Sequence, residues 1–558
     1  MTRSNQQDQL IFVPLGGIGE IGMNLYLYGF GPPRQRHWLM IDLGVTFPGE
    51  REPGVDLIMP DIRFIEEERS NLSGIVLTHG HEDHFGAVMH LWPMLRAPVY
   101  ATPFTAALLR AKLAQEGLEG DIPVTEIFRQ TRMEVGPFDI ELVDMAHSIP
   151  EPNAIMIRTP AGTVFHTGDW KLDPDPIVGP PLDEARIKEL GKEGIDTLVC
   201  DSTNAMREGV SPSEAEVAET LAEIIDQAEH RVAVTTFASN VARLRSVITA
   251  AAQAGRHTVV VGRAMLRTLQ VARETGHLPA DAELLSDEEF GYLPRDKVVA
   301  LCTGSQGEAR GALARIAGGN HPKVTFARGD TVIFSSRTIP GNEKAVSWVQ
   351  NKLVDIGAEI ITDSDALVHC SGHPRRGELE KLYGWAKPKI AIPMHGEAKH
   401  LAAHEELARS LGVETVIPAR NGSLIRLSPD PADEIDEVPA GRLYKDGHVL
   451  LDESSNAILE RRKLSFAGTV SVSLVLSAGG EVEGEPQIAF FGLPESDDDG
   501  VPMSEIVFDA VTGALDGIPR PRRKNSGVVG EAVRRAVRAN VNQAWGKKPL
   551  CVVLVTVL

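Results

Sequence analysis

An α/β fold made of more than one domain is what this sequence predicts, and three observations carry it. Short apolar runs ending in polar loops alternate with helical patterns along most of the chain. Between residues 206 and 372 the rhythm becomes a repeated strand, loop and helix, the mark of a parallel sheet with crossover helices. At 558 residues the chain is also too long for one hydrophobic core, so about three domains are expected.

The elements follow in order. "HWLMIDLG" and "LSGIVLTHG" read as buried strands that end in polar loops, and "DHFGAVMHLWPML" as one helix starting at a histidine cluster. "RMEVGPFDIELVDMAHS" reads as a hairpin, because two alternating runs flank Gly136-Pro137. "GTVFHTGDW" is a short strand closing on an aspartate. In the middle region "RVAVTTFASN", "HTVVVG", "KVVALCTGSQGE" and "DTVIFSSRTIPGNE" each precede a helix. The character of the first region resumes at "KIAIPMHGEAKH", so the middle region reads as an insertion. The Pro- and acid-rich stretch 428–441 reads as a linker. A small α/β unit closes the chain, with strands near "TVSVSLVLSAGG" and "CVVLVTVL". Its long helix puts Val529, Val533, Val537 and Val541 on one stripe. The expected domains are 1–205, an inserted 206–372, a return with linker over 373–450, and 451–558.

Composition narrows the class. Hydrophobic residues make up 42% and charged residues 24%, ordinary for a globular protein. The four cysteines are far apart with no CxxC pair, which points to neither a disulfide framework nor a zinc ribbon and fits a reducing cytoplasm. "MTRSNQQDQLIFVPLGG" has no charged-then-apolar leader pattern, and no apolar run nears the roughly 20 residues that cross a bilayer. A cytoplasmic protein without membrane contact is expected. The net charge of −21 does not favour long-range attraction to nucleic acid, so any such reading must come from local sites. Gly17, Gly19 and Gly22 spell a dinucleotide-binding pattern, with Asp42 following at a suitable distance. That motif needs a helix directly after the glycines, whereas "MNLYLYGF" alternates like a strand, so a tight hairpin turn is the better reading.

The chemistry concentrates in His79-Gly-His81-Glu-Asp83-His84, three imidazoles and two carboxylates within six residues. His147, Asp169 and His395 each sit at a strand-to-loop junction elsewhere. Imidazole and carboxylate together suit zinc or manganese. Two sites can be built: His79, His81 and His147 for one ion, Asp83, His84 and His395 for the second, with Asp169 bridging. Two ions about 3.5–4 Å apart would clamp a hydroxide and stabilise both oxygens of an in-line displacement at phosphorus. Asp42 would orient a ligating histidine or the metal water. For His147 or His395 alone a buried, hydrogen-bonded histidine is the default, and His37, His90, His166, His230 and His257 are left structural.

This ordered set resembles the metallo-β-lactamase superfamily, which implies an αββα sandwich with metals at one sheet edge. Asp201 in "CDSTNA", His373 in "HCSGHP" and a histidine at 395 resemble the β-CASP nucleases, in which a histidine at that last position accompanies RNA cutting. With "PLGGIGEIGMN", the inserted domain and the C-terminal appendage, the whole chain resembles the bacterial ribonuclease J group of those nucleases. The resemblance implies a two-metal RNA hydrolase that digests 5′ to 3′ from a monophosphorylated end and also cuts internally. It implies work in mRNA decay and rRNA maturation, a homodimer formed through the C-terminal domain, and partnership in an RNA-degradation complex. His373 would protonate the leaving 3′-oxygen or stabilise the phosphorane, and Asp201 would orient the metal cluster or His373.

By the same resemblance, Phe237, Ser239 and Asn240, with the run His369, Cys370, Ser371, Gly372 and His373, form the pocket for a 5′-terminal nucleotide. Ser239 and Ser371 would donate to its phosphate, with His369 adding charge if protonated; ordinary helix capping by Ser239 is the alternative. Asp56 and Asp446 are the implied ligands of a structural calcium, turn capping being the competing role. The basic run between 520 and 548 is by default a solvated face, with RNA contact or subunit docking secondary. Two other functions compete: a small-ester or lactam hydrolase on the same fold, which needs no long groove, and a non-catalytic RNA-binding subunit, which would have lost metal ligands.

Overall fold

The computed structural model describes residues 7–558; the first six, within the stretch that shows no leader pattern, lie outside the described residues. The chain divides into two compact units, Met1–Thr46 with Ile58–Leu443, and Phe47–Leu57 with Tyr444–Leu558.

The first unit is built on an eight-stranded and a seven-stranded sheet. Their facing sides share one core, in which Tyr26, Ile41 and Val76 of one sheet meet Leu142, Ile155, Val199 and Ile392 of the other. The central strands Thr197–Asp201 and Ile390–Met394 are buried along their whole length, as continuous apolar runs in parallel pairs require. Helices Glu184–Glu193, Arg376–Ala386 and Ala398–Ser410 cover the other face of the seven-stranded sheet through Ile187, Leu190, Leu379, Leu382 and Leu407. Register gathers the chemistry. Ile41 pairs with Val76, so Asp42 and the histidine cluster leave neighbouring strand ends together. Asp201 pairs with Met394, so Asp201 and His395 emerge side by side.

Two expectations need correction. The single helix read from Asp83 onward is two, Glu82–Phe85 and Val88–Leu95. The carbonyls of Glu82 and His84 accept N–H groups from Val45 and Leu43 at 3.0 and 2.7 Å, which ties the short helix to the strand end at Asp42. That approach is tight: a Cβ on Gly44 would lie 1.7 Å from the Asp83 carbonyl oxygen. The supposed linker 428–441 contains a strand, Asp433–Glu437, paired with Ser423–Ser428 at the edge of the eight-stranded sheet. All five of its residues are exposed, and a charged, exposed edge strand has the composition of a linker. The glycine run is followed by the strand Leu25–Gly31 and not by a helix, as a hairpin turn requires.

Within the same unit the inserted region forms a five-stranded parallel sheet in the order His257–Val261, Val298–Cys302, Val232–Thr235, Thr331–Phe334, Glu359–Ile361. The second unit has a three-stranded sheet, Gln487–Phe491, Thr469–Leu476 and Leu550–Val557, under helices Met503–Asp516 and Ser526–Trp545. The four valines at 529, 533, 537 and 541 are fully buried, as their spacing predicts.

Candidate metal centre

Six strand ends deliver the cluster. In the first set, His81 Nδ1 lies 3.1 Å from His79 Nε2 and 3.0 Å from His147 Nε2. His147 donates its Nδ1–H to the Gly372 carbonyl at 2.6 Å, which leaves Nε2 as a lone pair aimed inward. In the second set, His84 Nε2 is 3.6 Å from Asp83 Oδ2, and His395 Nε2 is 3.8 Å from the same oxygen. Asp169 Oδ2 stands between the sets, 3.9 and 3.7 Å from His79 and His147, and 3.2 and 3.4 Å from His84 and His395. His79, His81, His147 and Asp169 thus form one convergent group, and Asp83, His84, Asp169 and His395 another.

Electrostatics suit metal ligation in the first set; in the second, burial would lower His84, but Asp169, Asp83 and Asp42 hold it well above the usual histidine range. Burial, with crowding by neighbouring imidazoles, holds His79 and His81 far below the usual range for histidine, and burial pushes His147 down to about 4 despite Asp169. Neutral imidazole is the form that binds a cation. Burial alone would raise Asp169, but His395, His84 and His373 hold it well below the carboxylate range. Asp169 Oδ1 and His395 Nε2 are buried with no hydrogen-bond partner. Such orphaned atoms at the centre of a ligand cluster are what a divalent ion would satisfy, so the residues fit the expected metals.

Around the ligands, Asp42 accepts His84 Nδ1–H at 2.7 Å and the backbone N–H of Thr78 at 2.8 Å. The Thr78 hydroxyl stands 2.9 Å from Asp42 and 2.9 Å from His79 Nδ1. His373 donates Nδ1–H to Asp201 Oδ2 at 2.7 Å. Burial opposes charge on His373, but Asp201 and Asp169 outweigh it and hold the imidazole up at about 9. That ring stands beside the candidate ligands, its centroid 5.1 Å from that of His147 and 5.5 Å from that of His395.

The residues expected to line the nucleotide pocket have the following surroundings. The cap of helix Val241–Gln253 is Asn240, whose Oδ1 accepts Arg243 N–H at 2.9 Å; Ser239 is not the cap. Phe237 and Ser239 are half-buried beside it. Gly372 serves His147 through its carbonyl, and a Cβ there would lie 2.6 Å from the His147 ring. Cys370 is buried, and its thiol donates to Glu214 Oε1 at 3.2 Å. Ser371 Oγ accepts from Asn204 Nδ2 at 2.7 Å and from the His373 N–H at 3.3 Å. Burial and the nearby Arg243 push His369 down to about 3, so charge from it depends on protonation far below neutral pH. Sequence reasoning missed Arg243, a fully buried guanidinium that pairs with Glu214 at 3.0 Å and donates to the Val368 carbonyl at 2.9 Å, at the root of the His369–His373 loop. It also missed Thr78 and Asn204, whose contacts join residues far apart in sequence.

Asp56 and Asp446 lie in the second unit. Asp56 accepts the Gly447 N–H at 2.9 Å, and Asp446 pairs with Arg461 at 2.5 Å.

Against known proteins, residues 23–219 match the metallo-beta-lactamase superfamily and residues 358–418 the Zn-dependent metallo-hydrolase RNA specificity domain. Residues 229–353 match the ribonuclease J beta-CASP domain, and residues 456–558 the ribonuclease J C-terminal domain. A Ribonuclease J of Sinorhizobium meliloti is 56% identical over 552 residues, covering 99% of this chain and 98% of its own. The chain belongs to the ribonuclease J family. A Thermus thermophilus member is 39% identical, with 86% of this chain and 85% of its own covered. A solved Enterococcus faecalis protein of unknown function shares the fold, with a TM-score of 0.53 at 14% identity over 75% of this chain and 100% of its own. With this family come the metallo-β-lactamase fold with its β-CASP insertion and the activity class, a metal-dependent nuclease. Among the described residues, no helix is long and apolar enough to cross a membrane.

Proposed function

We propose that the chain hydrolyses single-stranded RNA, 5′ to 3′ from a monophosphorylated end, and also cuts internally. The observation that carries this reading is the convergence of two ligand groups on Asp169 with the His373–Asp201 pair against them. His79, His81 and His147 would hold one divalent ion, zinc or manganese, and Asp83, His84 and His395 the second. When bound, the ions supply activated water and neutralise phosphate charge. The chain's own groups do the rest. Asp42 holds His84 in the tautomer that presents Nε2, and Gly372 does the same for His147. His373 carries a proton at neutral pH and delivers it to the departing 3′-oxygen, with Asp201 fixing the ring. The half-buried Phe237 and Ser239 and the loop His369–Gly372 would receive the terminal nucleotide and its phosphate.

Three finer readings accompany it. The enzyme acts in the cytoplasm on mRNA decay and rRNA maturation, alone or in an RNA-degradation complex. It pairs as a homodimer through the C-terminal unit, where Phe491, Val552 and Leu554 lie exposed at 73, 43 and 62%. A structural calcium at Asp56 and Asp446 has to displace the Arg461 guanidinium from Asp446, which already neutralises that carboxylate. The deciding experiment is digestion of one labelled RNA bearing a 5′-monophosphate, triphosphate or hydroxyl, with and without chelator. Mononucleotides released from the monophosphate form alone, and only without chelator, support the proposal; equal digestion of all three ends, or insensitivity to chelator, overturns it.

A further inference from the structure

Asn24 closes the glycine turn, and its side chain is fully buried. Its backbone N–H donates to the Asp83 carbonyl at 2.9 Å, and its Nδ2 donates to the same oxygen at 3.0 Å. Its Oδ1 accepts the Tyr26 hydroxyl at 2.8 Å and the His395 Nδ1–H at 2.9 Å. Nδ2 also lies 3.1 Å from His84 Nε2. One side chain therefore touches Asp83, His84 and His395 together. None of these bonds reaches His79, His81 or His147.

The orientation of the amide is determined. A carbonyl can only accept, so Nδ2 must face Asp83 and Oδ1 must face His395. An acceptor opposite His395 Nδ1 places the proton there and leaves Nε2 as a bare lone pair. That Nε2 is the buried atom without a partner, 3.4 Å from Asp169. The backbone cooperates: His395 has φ +50°, and its N–H is held by the Gly17 carbonyl at 2.7 Å. The glycine turn thus supports His395 through Gly17 and fixes its ring through Asn24.

We infer that Asn24 is the positioning residue of the second ion, setting the tautomer and aim of His395 and the seat of Asp83 without touching the first ligand set. This rests on the proposed two-ion reading. Partners of metal ligands typically account for about 10–100-fold in metal affinity, so the effect falls on one site of two. The test is zinc titration of the metal-stripped full chain by calorimetry, with elemental analysis after dialysis, for wild type, Asn24→Ala and the bulkier Asn24→Leu. The expected result is two sites in wild type and, in either folded variant, one site weakened about 10–100-fold beside one unchanged. Cobalt substitution should show the absorption of one site lost and the other kept. Two unchanged sites, or two sites weakened equally with a lowered unfolding temperature of the metal-free protein, overturn the inference and make Asn24 a packing residue. A wild-type chain that takes up fewer than two ions overturns the two-ion reading itself, and the inference with it.

Discussion

Ser371 has two structural duties, holding Asn204 at 2.7 Å and accepting the His373 N–H at 3.3 Å, so its removal would disturb the acid as well as any phosphate. Ser239 is the cleaner probe, because Asn240 has taken over the capping. Ser239→Ala should lower digestion from a 5′-monophosphate by about ten- to a hundredfold, the loss of one charge-assisted hydrogen bond of about 1.5–3 kcal/mol. Cutting of a circular RNA should fall much less, and equal losses would remove Ser239 from the pocket. His373→Ala should cost roughly 10²–10⁴-fold in turnover on both substrates while the metal content measured by elemental analysis stays at the wild-type value. Metal lost in step with activity would instead make His373 a ligand. At this scale the candidate cluster was legible because histidine is scarce, 17 in 558 residues, and three fall within six positions. The tautomers were not, since Gly372 lies 225 residues from the His147 it serves, and neither was the lowered pKa of His369, which follows from burial and from Arg243, near in space but far away in sequence.

Between elements, the connection that matters is the buried cluster of Lys171, Asp173, Glu214, Arg243 and Cys370. It ties the start of helix Glu214–Gln227 to helix Val241–Gln253 and to the loop that carries His373. Burial would raise Glu214, but Arg243 and Lys171 hold it down at about 2 against a usual 4.5. A depressed carboxylate stabilises the fold above its unfolded pKa and loses that contribution as pH falls through the folded one. The metal-free protein should therefore lose about 3 kcal/mol from this group between about pH 4.5 and 2. Glu214→Gln should lower the unfolding temperature at pH 7, because Arg243 is left buried and unpaired, and its deficit against wild type should narrow as the pH drops through that window. A pH-independent deficit would mean that packing, and not charge, sets the cost. Strand and helix identities were largely legible, since apolar periodicity marks them. The broken helix at Gly86 and the edge strand Asp433–Glu437 were not, because both depend on what lies alongside and not on their own sequence.

At the level of the whole molecule the sequence places the last boundary near residue 450, while the compact C-terminal unit starts at Tyr444 and also takes in Phe47–Leu57. No local signal marks a segment that joins a unit almost 400 residues later. In that unit one face of the three-stranded sheet exposes Phe491, Val552 and Leu554, with Ser471 and Ser473 of the central strand between them. Leu554→Asp should turn a dimer into a monomer in light scattering without lowering the unfolding temperature, whereas an unchanged dimer would move the interface elsewhere. The central claim, that seven side chains hold two ions and that both are needed, is tested most directly by counting metal in a chain carrying Asp83→Ala and His84→Ala together, beside its cleavage of RNA. The account predicts one ion where wild type has two, and nearly all cleavage gone; two ions retained with full cleavage would contradict it.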